Sequence, residues 1–199
     1  MNTTIALPAH SINTEKPFAT TDFANSFVEF LNNYYTPQHK DIVILCIGTD
    51  RSTGDSLGPL VGHRLEKISN RYSNVFVHGT LENPVHAKNL QATIDFIDSR
   101  YNKPFVVAID ACLGKVDRVG FLSIGHGPLK PGAGVNKELP AVGDIHITGI
   151  VNLGGFMEYI VLQNTRLHLV LKMANTAADG IQFGLWKLFK SSIKEQCEF

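Results

Sequence analysis

The chain has 199 residues, of which 44% are hydrophobic, and its mean hydropathy is +0.01. This length and composition suit one domain with a sizeable core. The 18 Lys and Arg residues balance 18 Asp and Glu residues, so charge predicts neither a nucleic-acid partner nor attraction to an anionic membrane. No apolar run approaches the roughly 20 residues of a membrane span, and the first residues lack a signal-peptide pattern. Three scattered cysteines predict no disulfide framework and a cytoplasmic location.

The first 18 residues are polar and contain two prolines, which predicts a flexible N-terminal arm before a single domain over residues 19–199. Apolar residues at helical spacing then predict a helix from Thr21 to Tyr35. An unbroken apolar run from Ile42 to Ile47 predicts a buried strand of a parallel sheet.

A polar loop follows this strand, and a helical pattern runs from Asp55 to Asn70. Asp55 lies at the turn between the loop and the helix. Aspartate is a favoured helix N-cap, so a capping role is the structural alternative. A catalytic carboxylate is the functional alternative, because ligands bind at the carboxyl ends of parallel strands.

A second apolar strand, Phe105 to Ile109, is followed at once by Asp110. Capping does not explain two strands that each deliver a carboxylate to one edge of a sheet. We therefore predict that Asp55 and Asp110 are a catalytic pair, with carboxyl groups roughly 3–6 Å apart, as water-bridged acid and base partners require. Cys112 lies nearby, and its two alternatives are an ordinary buried thiol and a nucleophile.

The remaining pattern alternates strands and helices, which predicts an α/β fold: a single three-layer α/β/α domain with a mostly parallel sheet. The further predicted elements are a strand Val75–His78, a helix His86–Arg100, an antiparallel edge strand Val119–Ile124, a helix Gly154–Leu162, a strand Leu167–Leu171 and a helix Ala174–Lys190. Residues 125–144 are too rich in Gly and Pro for regular structure. Loops of that length are commonly functional, so we expect Pro128 to Asp144 to overhang the site.

Three motifs, GTDRSTGDSLGP, AIDACLG and PGAGVNKEL, occur in this order. They resemble motifs of the germination protease of spore-forming bacteria, and the whole chain is similar to the small YyaC-type sporulation proteins related to that protease. The resemblance implies a phosphorylase/hydrolase-like fold, shared with hydrogenase maturation peptidases. It implies an aspartate-dependent peptidase, with Asp55 and Asp110 at the positions of the protease's two aspartates. It also implies the cytoplasm of a mother cell or forespore.

The same motifs suggest residues that bind a protein or peptide substrate. One substrate-binding candidate is Asp50, which shares the loop of Asp55 and is also the second carboxylate candidate there. The substrate-binding candidates in the Gly- and Pro-rich loop are Gly132, Gly134 and Asn136, and Lys137 and Glu138 are either peptide-binding or simply solvated.

Hydrogenase maturation peptidases carry a glutamate, an aspartate and a histidine that bind the nickel of their substrate. The first two match Asp55 and Asp110, but the segment VNLGGFMEY places Asn152 at the histidine position. An amide is a poorer transition-metal ligand than imidazole. We therefore predict no cofactor and a substrate-binding role for Asn152, with His126 and His146 as the alternatives that would support a metal.

The leading hypothesis is a sporulation-associated, peptidase-like hydrolase. Two adjacent carboxyl groups share one proton, so that one activates water and the other acts as an acid. The alternatives are a non-catalytic binding or structural protein on the same fold, and a metal-dependent maturation peptidase. Homo-oligomerisation stays open.

Overall fold

A six-stranded, mostly parallel sheet forms the centre of the molecule. The computed structural model of the protein describes residues 7–132 and 139–196, and side chains as far as residue 190. The strands are β1 (His10–Asn13), β2 (Ile42–Cys46), β3 (Val75–His78), β4 (Phe105–Gly114), β5 (Phe121–His126) and β6 (Ile145–Leu153). Their order across the sheet is β1-β5-β6-β4-β2-β3. Strands β3, β2, β4 and β6 are parallel neighbours, and β5 and β1 add two antiparallel pairings.

Helices cover both faces of this sheet, as predicted for an α/β fold. The helices are α1 (Ala19–Tyr34), α2 (Leu57–Leu65), α3 (Leu90–Arg100), α4 (Glu158–Gln163) and α5 (Leu167–Gln196). The core on one face joins residues of α1, α2 and α5 to β2, β4, β5 and β6. The core on the other face joins Leu90 and Ile97 of α3 to Val43 and Leu45 of β2. Within the described residues, no helix has the length and apolarity needed to cross a membrane.

Strand β6 is the main element that the sequence analysis does not assign. It lies between β4 and β5. Strand β5 is antiparallel, as predicted, but β1 and not β5 forms that edge of the sheet. Alternate residues of β6 are buried from Ile145 to Val151, which is the period of a strand. The preceding loop and the short polar residues within the strand weaken that signal in the sequence.

The predicted flexible arm contributes a strand. Residues 10–13 form β1, which pairs antiparallel with β5 from His10↔Ile124 to Asn13↔Phe121. The Thr14 hydroxyl donates a hydrogen bond of 2.7 Å to the Gly120 carbonyl oxygen. These residues therefore belong to the sheet, because pairing satisfies the open edge of β5 that would otherwise face solvent.

The strand predicted at Leu167–Leu171 is wrong, because these residues form the first turns of α5. A short apolar run does not distinguish a strand from a buried helix segment. The buried positions Val170, Met173, Ala174, Ala177 and Ile181 continue at helical spacing beyond it. The helical stripe therefore begins inside the run rather than after it.

Close backbone packing at two glycines fixes the start of α2 against β2. A Cβ at Gly48 would overlap the carbonyl oxygen of Asp55, and a Cβ at Gly58 would overlap the carbonyl oxygen of Ile47. Gly48 also has φ +143°, which side-chain-bearing residues rarely adopt. The two glycines thus hold the turn that contains Asp55 directly over the end of β2.

We expect Gly58→Ala to lower the free energy of unfolding by roughly 3 kcal/mol, because the added methyl group meets backbone that cannot move aside. Helix propensity alone would favour alanine by about 1 kcal/mol. Urea unfolding measures the change.

Gly149→Ala in β6 is the matched control. There the added methyl group meets mainly the ends of the Leu57 and Met173 side chains, which can shift, so a loss below about 1 kcal/mol is expected. Equal losses in the two variants would contradict the backbone explanation.

Candidate active site

Asp110 lies inside a strand in the middle of the sheet. Strand β2 ends at the pair Cys46↔Ile109, whereas β4 continues beside β6 through Asp110↔Thr148 to Gly114. The strand predicted to end at Ile109 is therefore five residues longer, because β6 supplies hydrogen-bond partners beyond the end of β2. Asp110 consequently occupies the place where β2 stops and its loop turns away.

Asp55 reaches the same place from the loop after β2. The Ile47 N–H donates to the Ile109 carbonyl at 2.7 Å, and the Thr49 N–H donates to the Asp55 carbonyl at 3.0 Å. The first bond ties the start of the loop to β4, and the second closes the loop on itself beside that point. Asp55 stands in the 3-10 turn Gly54–Ser56, and Ser56 is the N-cap of α2. Asp55 is thus not the capping residue that the structural alternative requires.

Asp55 and Asp110 both line a cavity of about 410 Å³, a volume within the roughly 300–1,000 Å³ of small-ligand sites. Its walls come from the ends of β2 and β4, from β6, from the loop before β6, and from α4. Apolar side chains predominate, among them Ile47, Leu129 and Leu162. The described part of the Gly- and Pro-rich loop, from Pro128 to Gly132 with Leu139, borders this cavity, as predicted.

Burial dominates the electrostatics of the two carboxyl groups. Asp110 is 7% exposed, and burial together with the charge of Asp55 raises its pKa well above the ordinary value. Backbone hydrogen bonds from Ala111, at 2.8 Å, and Gly132 act in the opposite direction. Burial also raises the pKa of Asp55 to about 6, against an opposing hydrogen bond from Thr49. Both shifts favour the protonated form of the carboxyl groups, and the deeper burial of Asp110 makes it the more favourable site for a shared proton.

The neighbouring Cys112 thiol is suited to an inert role. Burial and the charge of Asp110 raise its pKa to about 11, against an opposing hydrogen bond from Thr148. The thiol is therefore protonated at neutral pH, and the thiolate that a nucleophile needs is scarce.

The predicted substrate-binding residues have different positions. Gly132 lines the cavity and donates a backbone hydrogen bond to Asp110, whereas Gly134 and Asn136 lie outside the described residues. Asp50 is exposed and is not among the described residues that line the cavity.

Asn152 also lies outside the cavity lining. Its amide nitrogen donates hydrogen bonds to the Val161 carbonyl at 3.3 Å and to the Thr165 hydroxyl at 3.2 Å. Asn152 therefore ties the end of β6 to α4 and the residues after it. Its short polar side chain suits this bracing role, which a sequence motif does not distinguish from ligand binding.

Two histidines, His86 and His146, border the cavity, and only His146 is among the residues proposed from the sequence. The His146 Nδ1 atom is 2.8 Å from the Gly127 carbonyl oxygen; since a carbonyl only accepts, Nδ1 carries the proton and Nε2 is left as an acceptor. His86 was missed, although it follows Val85, which bridges to Ile47. His126 instead stacks on Tyr34 at 4.0 Å. No three His, Cys, Asp or Glu side chains in the described part of the chain are grouped as metal ligands.

Ser52 carries a polar group for which the described residues offer no hydrogen-bond partner. Ser52 lines the cavity and is only 9% exposed. Its hydroxyl is buried and has no hydrogen-bond partner among the described residues. A buried unpaired hydroxyl is unfavourable. Both Ser52 and Thr49 lie in the predicted polar loop, so position in the chain is the signal that could have identified them.

We expect Ser52→Ala to leave the free energy of unfolding unchanged or to raise it by up to about 1 kcal/mol, because no described hydrogen bond is lost. Ser56→Ala is the matched control, since the Ser56 hydroxyl donates to the Thr53 carbonyl at 2.7 Å. Its loss should lower stability by about 1 kcal/mol. Denaturant unfolding compares the two, and a larger loss for Ser52→Ala would show that its hydroxyl has a partner.

We expect Asp55→Asn to make the protein more stable at neutral pH. As pH rises through the interval from 3.8 to about 6, the unfolded chain ionises this group before the folded protein does, so the stability of the native protein falls. The variant should be more stable by roughly 1–3 kcal/mol at pH 7, with the advantage vanishing near pH 3.

Unfolding free energies measured across this pH range provide the check, with Asp50→Asn as the exposed control in the same loop. A variant that is less stable than the native protein at every pH would show that the Asp55 carboxylate contributes a stabilising interaction.

Two comparisons relate this geometry to known proteins. The chain is 61% identical over 142 residues to the "Uncharacterized protein YyaC" of Bacillus subtilis (strain 168), covering 71% of this chain and 68% of that protein. Its structure resembles the [NiFe] hydrogenase maturation protease HycI from Thermococcus kodakarensis KOD1, with a TM-score of 0.52 and 20% identity, covering 78% of this chain and 98% of that one. At this identity the likeness concerns the fold.

A family model also matches most of the chain. The family is described as "Protein of unknown function (DUF1256)", and the match runs over residues 12–180. That span includes every strand after β1, both carboxylates and the cavity. The chain belongs to the DUF1256 family.

Proposed function

We propose that the protein is a peptidase-like hydrolase in which Asp55 and Asp110 activate water for cleavage of a peptide bond. The observation that carries this proposal is that the buried Asp110 carboxyl group and the partly buried Asp55 carboxyl group line one cavity and interact. Two such groups with pKa values raised to different extents are an acid and a base at the same pH.

The chemistry follows from where the shared proton resides. The ionised Asp55 accepts a proton from a water molecule, whose oxygen forms a bond to the carbonyl carbon of the substrate. Asp110 donates its proton to the amide nitrogen as the C–N bond breaks. The products are a carboxylic acid and an amine, and transfer of the proton from Asp55 to Asp110 restores the starting state.

The hydrogen bonds from Ala111 and Gly132 have a defined part in this cycle. They stabilise the ionised form of Asp110, so they ease the step in which this carboxyl group gives up its proton. Gly132 lies in the loop that borders the cavity, and it thereby links the position of this loop to the acidity of Asp110.

The cellular setting of this activity is also a proposal. The three motifs that resemble those of the germination protease support an association with sporulation, in the cytoplasm of the mother cell or forespore. The substrate that this role implies is a protein or peptide.

We expect incubation of the protein with a lysate of sporulating cells to generate discrete new N-termini, detected by mass spectrometry. Asp55→Asn and Asp110→Asn should each lower the cleavage rate about a hundredfold or more, the effect typical of a lost acid or base. Asp50→Asn, with an exposed carboxyl group in the same loop, should cleave at the native rate.

The pH dependence of cleavage tests the same roles. Since Asp55 must be ionised, the rate should fall below about pH 6, and since Asp110 must be protonated, it should fall again at higher pH. No cleavage by the native protein would favour the non-catalytic alternative. Cleavage abolished by a chelator and restored by a metal ion would favour the metal-dependent alternative.

A further inference from the structure

Large apolar side chains are exposed in a row beside the cavity. They belong to the end of β6, the turn that follows it, and α4. We call this surface the α4 patch; its members are Leu153, Phe156, Met157, Tyr159 and Ile160. Phe156 is 90% exposed, and α4 has no buried residue. A contiguous exposed apolar surface of this kind marks an interaction site more often than chance exposure does.

The backbone of the preceding turn presents these side chains outward under strain. Met157 has φ 56° and Gly155 has φ 138°. A left-handed conformation is unfavourable for a residue with a long side chain, and such strain concentrates at functional sites. Glu158 accepts a hydrogen bond from the Gly155 N–H at 3.2 Å, which braces the turn in this shape.

The α4 patch is continuous with the cavity. Tyr159 of the patch and Leu162, three residues further along α4, both line it, as expected for helix positions that share a face. Ile47, Leu129 and Leu139 also line the cavity. An apolar path therefore leads from the α4 patch at Tyr159, past Leu162, into the cavity that holds the two carboxyl groups.

We propose that this path binds an extended apolar segment of the substrate, with one bulky side chain in the cavity and its neighbours on the α4 patch. The inference rests on the proposed function, because it takes the bound ligand to be the substrate of the proposed hydrolysis. It adds a specificity, namely large uncharged side chains next to the cleaved bond.

Two other occupants fit the surface less well. Five side chains are few compared with the roughly 20–30 residues that each partner contributes to a standard protein interface, which disfavours a second copy of the chain. Glu158 is the one charged residue between positions 153 and 160, whereas binding to an anionic lipid surface uses clustered Lys and Arg.

The test measures binding separately from cleavage. A fluorescent peptide with a central Leu-Phe-Leu-Met sequence is compared with one carrying Ser and Gln at those positions, by anisotropy with the Asp110→Asn protein. The apolar peptide should bind at least about tenfold more tightly, and Phe156→Ser should remove about tenfold of its affinity, as expected for one lost apolar contact.

Two further variants keep the test decisive. Met157→Gly removes a patch side chain while relieving the left-handed backbone, so it should weaken binding without loss of thermal stability. Phe183→Ser is the matched control, because Phe183 is 43% exposed on α5 and packs near Trp186 at 5.6 Å rather than beside the cavity. It should bind the apolar peptide with native affinity.

Equal affinity for the two peptides, or an equal loss in Phe183→Ser, would overturn the proposal. A dimer in sedimentation that Phe156→Ser converts to a monomer would assign the patch to a second copy instead. If the apolar peptide binds as expected but the native protein cleaves no peptide, the binding site stands and the proposed hydrolysis fails. If the native protein cleaves peptides without an apolar preference, the proposed hydrolysis stands and the apolar binding site fails.

Discussion

The burial of the Asp110 carboxyl group is the constraint on which the site depends. The group lies in the centre of the sheet, where β4 is paired with β6 and has just passed the end of β2. A carboxylate there is removed from most of its water, which is unfavourable unless the group keeps its proton or gains hydrogen bonds. Two backbone N–H groups supply part of that compensation, and the raised pKa of Asp110 makes the protonated form more favourable than in water.

The arrangement of the surrounding loops follows from this constraint. The end of β2 must turn away over Asp110, and Gly48 and Gly58 let the chain do so at backbone contact distance. The turn then brings Asp55 toward Asp110. The loop before β6 closes the other side, with Leu129 bridged to Val142 at its base. The charge of Asp55 thus adds to burial in raising the pKa of Asp110.

The apolar character of the cavity and of the α4 patch affects both the carboxyl groups and the ligands that can bind. Apolar walls exclude water, which strengthens the electrostatic interaction between the carboxyl groups. The same walls favour apolar ligands, because their burial is the main source of affinity that the cavity offers. Asn152 and Thr165 hold α4 against the end of β6, so bracing that lies outside the cavity determines where this apolar surface stands.

The sequence by itself determined the local part of this picture. Strand β3 has the predicted bounds, and β2 and the start of β4 coincide with predicted apolar runs. A buried strand can be recognised in this way because both of its faces need apolar residues. Asp110 stands out as a carboxylate placed directly after such a run, and Asp55 as one in the loop that follows the other run. The resemblance to hydrogenase maturation peptidases also anticipated the fold, which likeness to HycI supports.

Only the tertiary structure decided the rest, since it depends on partners that are distant along the chain. The insertion of β6 between β4 and β5 places Asp110 inside a strand rather than after one, and the pairing of β1 with β5 orders residues of the predicted arm. The apolar run at Leu167 becomes helical because Val170 and Met173 continue a helical stripe into the core. Asn152 braces α4 instead of facing the cavity, since the hydrogen-bond partners of an amide are chosen by packing, which local sequence does not record.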